Sequence, residues 1–136
     1  MPESELALSQ KQLDTVLAYL PLFEHDDFEF GHWISGGTAI PHYQFSPEAH
    51  EFIDMLYAQS ILLAGDWLSW SPAAERFINN PSLLQEADLA AVRRLLTVAV
   101  RGERMHEGQL GRVYDSGCLL AALQRLKAIR DEHYGV

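Results

Sequence analysis

With 136 residues, of which 48% are hydrophobic and 21% charged, the chain supports one hydrophobic core, and its composition excludes a largely disordered polypeptide. The single cysteine, Cys118, excludes an internal disulfide framework and a cysteine-based zinc cluster. No basic start followed by an apolar run marks a secretory leader, and no apolar stretch reaches the ~20 residues of a membrane span, so a reducing cytosol is the expected compartment.

The net charge of −9 is unevenly placed. Residues 1–60 hold ten acids against Lys11 alone, whereas the acids and bases of residues 61–136 cancel. An acidic half of this kind repels a phosphate backbone and argues against nucleic acid as its ligand. It fits solubility, pairing with arginines of the second half, or docking of a basic protein partner.

In chain order, residues 1–8 read as a loosely ordered tail, and Ser9-x-x-Gln12 has capping-box spacing ahead of a helix through Leu13, Val16, Leu17 and Leu20, which Pro21 stops. From 22 to 45 the pattern changes to aromatic and β-branched residues (Phe28, Phe30, Trp33, Ile34, Ile40, Tyr43, Phe45) around Gly36-Gly37, a short β-hairpin or extended aromatic loop with Pro41 at an edge. Ser46-Pro47 starts a helix whose apolar stripe is Phe52, Ile53, Leu56 and Tyr57. Asp66 caps a turn carrying Trp67 and Trp70, both assigned to the core, and Ser71-Pro72 begins a short helix closed by Asn79-Asn80-Pro81. A long helix over 88–104 puts Leu89, Val92, Leu95, Leu96, Ala99 and Val100 on one face and Arg94, Thr97 and Arg101 opposite. Gly108, Gly111 and Gly117 punctuate the next segment, and Ser116 caps a final helix ended by Gly135. The expected fold is mainly α: one domain, an irregular bundle of about five to six helices with one hairpin or aromatic loop across it.

The block Leu95-Leu96-Thr97-Val98-Ala99-Val100-Arg101-Gly102-Glu103-Arg104-Met105-His106-Glu107-Gly108-Gln109-Leu110, followed by Gly117 and a Leu-rich helix, resembles the signature of a family of small bacterial proteins, domain of unknown function 6508. Asp66-Trp67 with Trp70, and the Ser46-Pro47 helix ending in Leu56-Tyr57, also fit it, so the resemblance spans roughly residues 40–130. Gly65 stands where the family has an aromatic, and Met105 where it has Phe, both packing differences. The resemblance implies no activity or cofactor.

Three groups of residues are candidates for function. Arg94, Arg101 and Arg104 share a side of the long helix with Glu107 within reach. Two guanidiniums beside a carboxylate suit a phosphate or carboxylate ligand. The same arginines also suit a structural network with Asp66, Trp67, Trp70 and Gly108. Among six histidines, His50 and Asp54 are four apart on a helix with His42 upstream, a weak chelating pattern without HExxH or Cys support. The aromatic residues either fill the core or line a groove, and Trp33 beside Gly36-Gly37 is the one equally suited to an exposed contact. With no catalytic constellation, the leading expectation is a small acidic binding or regulatory module acting through protein contacts or self-association. Alternatives are a binder or enzyme for a small anion at the arginine block, and a metal-dependent hydrolase at His42, His50 and Asp54.

Overall fold

A computed structural model describes residues 7–37 and 39–135. It holds seven α-helices and one antiparallel hairpin: α1 (Gln10–Leu17), α2 (Leu20–Phe23), β1 (Gly31–Gly36), β2 (Ala39–Phe45), α3 (Pro47–Ala58), α4 (Ser71–Asn79), α5 (Leu89–Gly102), α6 (Gln109–Asp115) and α7 (Cys118–Tyr134). Two 3-10 segments, Trp67–Trp70 and Pro81–Glu86, flank α4. The mainly α fold with a short hairpin is as expected. The helix count exceeds five or six because α2 and α6 are single short helices hidden behind a proline and a run of glycines.

Local chemistry starts each element. The Ser9 hydroxyl accepts from Gln12 N–H at 3.1 Å while the Gln12 amide oxygen accepts from Ser9 N–H at 2.8 Å, closing the capping box of α1. Helix α1 has already ended when Pro21 arrives, and Pro21 sits in the first turn of α2, where its missing N–H costs nothing. Ser46 caps α3 by accepting from Ala49 N–H at 3.2 Å, and Asp88 caps α5 by accepting from Ala91 N–H at 2.8 Å. Asp66 makes no such side-chain cap among the described residues; its carbonyl instead accepts from the Ser69 hydroxyl at 2.7 Å. The cap of α7 is Gly117, at φ +86°, with the Ser116 hydroxyl one residue earlier accepting from Cys118 N–H at 3.2 Å.

The tail expected over 1–8 lies outside the described residues up to residue 6, and its end belongs to the core. Leu8 is 1% exposed, and its carbonyl accepts from the Tyr134 hydroxyl at 2.9 Å. Helix α5 runs through the centre of the molecule against α4, α6, α7 and the Trp67–Trp70 turn. Being surrounded, it buries every residue from Leu95 to Val100, including Thr97, which the helical wheel places on the outer face. Thr97 is tolerated there because its hydroxyl donates to Arg93 C=O at 2.7 Å and accepts from Leu63 N–H at 2.9 Å. An aromatic cluster closes the other end, with Phe23 touching Tyr19, Phe28, Phe30, Phe52 and Tyr114. Among the described residues no helix is long and apolar enough to cross a membrane. Asp14 on α1 pairs with Arg130 on α7 at 2.8 Å, an ion pair that joins the acidic half to the second half.

Candidate functional site

The hairpin pairs Gly31 with Phe45, Trp33 with Tyr43 and Ile34 with His42, and its register shifts between Ile34 and Gly36. Trp33 and Tyr43 therefore share one face, their rings meeting edge to face at 5.5 Å. That face lies on the turn between α5 and α6. Trp33 covers Gly108, and Tyr43 covers Gly111; a Cβ at either glycine would collide with the ring. Gly108 also adopts φ +89°, so glycine is required there twice over.

The turn is shaped by one carboxylate. Glu103 accepts from Gly108 N–H at 2.7 Å and from Leu110 N–H at 2.9 Å, holding both ends of the bend and supplying acceptors to the start of α6. Gln109 turns back over Gly102 and donates to Val98 C=O at 3.2 Å. Glu107 then reaches across to the hairpin and accepts from Tyr43 N–H at 2.8 Å. Burial raises the Tyr43 phenol from 10.0 to about 12, helped by the charges of Asp115, Glu103 and Glu29.

Where hairpin and turn meet, an open pocket of about 600 Å³ forms. Trp33 is one wall, 53% exposed despite its contacts. His106, Glu107, Gly108 and Gln109 come from the turn and Val98 from α5. The far side carries Ser71 and Glu75 of α4 and Arg112 of α6, the last two paired at 2.9 Å.

The family described as "Family of unknown function (DUF6508)" matches residues 8–132. The chain belongs to the DUF6508 family. No curated protein and no solved structure matches it. Membership confirms the resemblance carried by the 95–110 block, and in this DUF6508 chain that block includes the whole turn on which the hairpin rests.

Of the residues singled out in the DUF6508 sequence, Glu107 and Gly108 line the pocket and the three arginines do not. Arg94 lies over Trp70 at 5.6 Å, and Arg101 lies over Tyr57 at 5.8 Å with its Nε buried and without a hydrogen-bond partner among the described residues. Arg104 is exposed, and none of the three forms an ion pair among the described residues, with Asp66 or any other acid. Trp67 and Trp70 are half-buried against the core rather than inside it. His42 lies on β2, and His50 and Asp54 are exposed on α3, the His50 ring edge-on to Phe45 at 5.6 Å. Among the described residues no group of three His, Cys, Asp or Glu side chains is arranged to hold a metal ion. Cys118 is buried, and burial pushes its thiol up to about 12.

Sequence reading missed Glu103, Gln109, Glu75 and Arg112. A usable signal for Glu103 is a carboxylate five residues before a glycine that opens a new helix.

The raised Tyr43 phenol gives a pH dependence. Below pH 10 both folded and unfolded chains keep the proton, and this stabilisation is fully present. Above pH 10 the unfolded chain ionises first, so stability is lost until the folded phenol ionises near 12. Cys118 adds a parallel loss that starts near its ordinary 9.0. In denaturant titrations from pH 9 to 12, Tyr43→Phe should flatten the decline without abolishing it; an unchanged slope would rule out the Tyr43 contribution.

Proposed function

We propose that this chain is a non-enzymatic, cytosolic binding module that docks a segment of a partner protein at the pocket between the hairpin and the α5–α6 turn. The observation that carries this reading is Trp33: a large aromatic, half exposed, yet immobilised between Tyr43 and Gly108 at the rim of an open pocket. An aromatic held in place before binding loses little side-chain entropy when covered, which is why such residues dominate the energy of protein contacts. Ile40, on the same hairpin, is a further exposed apolar side chain at 85%.

The test is selection of binding peptides from a random library displayed on phage, using the wild-type chain and then Trp33→Ala. Peptides that bind the wild-type chain and lose at least about tenfold in affinity to Trp33→Ala are the expected result, in line with truncation of an interface tryptophan. Failure to enrich any peptide, or equal binding to Trp33→Ala, would refute the reading. Circular dichroism of the variant checks that the hairpin is retained.

A further inference from the structure

We infer that the partner segment presents a lysine or arginine side chain to this pocket, a statement that rests on the pocket being a protein-docking site. The charges that face it decide the sign. Glu75 and Arg112 are paired and neutralise one another, which leaves Glu107 as the uncompensated charge of the lining. One Glu107 oxygen is taken by the Tyr43 N–H, so the carboxylate is fixed in place while its second oxygen keeps its acceptor capacity. Trp33 stands at the same site as an indole wall, the side chain best suited to lie against an ammonium or guanidinium group. His106 of the turn completes the polar lining with a hydrogen-bonding ring.

The wider field has the same sign. The phenol of Tyr43, on the seam beside the pocket, is pushed up by Asp115, Glu103 and Glu29 as well as by burial. The N-terminal half that supplies the hairpin carries ten acids against Lys11. With Asp115, Glu103 and Glu29 acting on the seam and a net charge of −9 on the chain, a basic partner segment is attracted before contact and an acidic one is repelled. A carboxylate anchored by a backbone N–H and an aromatic wall form a compact cation site, whereas an anion would meet only Arg112, already engaged with Glu75.

The experiment uses the full chain and the peptides selected through Trp33. Enriched sequences should share Lys or Arg at one position, and replacing that residue by Gln in the peptide should weaken binding about tenfold or more. Glu107→Gln should weaken binding similarly: its amide oxygen still accepts from Tyr43 N–H, so the hairpin stays seated while the charge is gone. Raising the salt concentration should lower the affinity further. If peptides without a basic residue are enriched through Trp33, the inference is overturned while the docking reading stands. If Glu107→Gln binds basic peptides as the wild type does, the cation site is wrong. If butylamine or arginine amide alone binds as tightly as the peptides, the occupant is a small free cation and the partner-segment inference falls.

Discussion

Phe23→Ala is expected to cost the fold about 3–5 kcal/mol, among the largest losses a single substitution produces here. Phe23 lies on α2, a helix of four residues that has almost no stability of its own. Its ring is 4% exposed and sits where several elements meet. Phe52 of α3 lies 4.9 Å away and Tyr114 of α6 5.5 Å. Phe28 and Phe30, from the segment leading into β1, approach to 5.6 Å and 5.9 Å, and Tyr19 to 6.5 Å. Removing the ring leaves a cavity that five aromatic neighbours, rigid and large, fill poorly, so the loss includes both transfer and cavity contributions. Urea unfolding should show the midpoint shift at an unchanged slope. A loss under about 1 kcal/mol would mean that the cluster repacks around the gap and is not built on Phe23.

Glu103→Gln is the second large effect, and it couples stability to the site. The native carboxylate accepts from two backbone donors, Gly108 N–H and Leu110 N–H. The amide offers one acceptor and one donor, so one of these partly buried N–H groups is left facing another donor. The expected loss is about 1–3 kcal/mol. Hydrogen exchange should accelerate at the Gly108 and Leu110 amides before it does in the centre of α5, because the bend opens locally. The Trp33 wall rests on that bend, so peptide binding should fall with it even under conditions where the chain remains folded. For the exchange measurement Glu107→Gln is the control, since it alters charge in the same turn while Glu103 keeps both backbone donors, so its Gly108 and Leu110 amides should exchange as in the wild-type chain. Equal exchange rates in Glu103→Gln and the wild-type chain would show that the bend does not depend on this carboxylate.

The two substitutions differ in how well the sequence foretells them. The capping residues Ser9 and Ser46 announce α1 and α3 because a cap is a contact between residues three apart, and spacing along the chain is all it needs. The segment around Gly36-Gly37 is legible as a hairpin or an extended loop from its local aromatic and β-branched pattern, and the pairing of β1 with β2 decides for the hairpin. Helix α2 is not, because Pro21 reads as a stop when nothing shows that the chain has already turned before it. Thr97 misleads for a related reason. A wheel assumes one solvent face, and α5 has none over its middle because other elements surround it.

The site divides along the same line. The mainly α class, the acidic first half, the family and the weight of the block from Leu95 to Leu110 are all legible in the chain before it folds. Glu107 and Gly108 are already among its residues of interest. Spacing groups them with Arg94, Arg101 and Arg104, because these are neighbours on a helix. Folding is what separates the three arginines from Glu107: the helix ends at Gly102, two of the guanidiniums settle on Trp70 and Tyr57, and Glu107 turns to the hairpin. Trp33, which walls the pocket, and Tyr43, which seats the hairpin beside it, are more than sixty residues away in the chain. Their union with Gly108 and Gly111 depends on a close fit of ring against bare backbone, a condition that no one-dimensional pattern records.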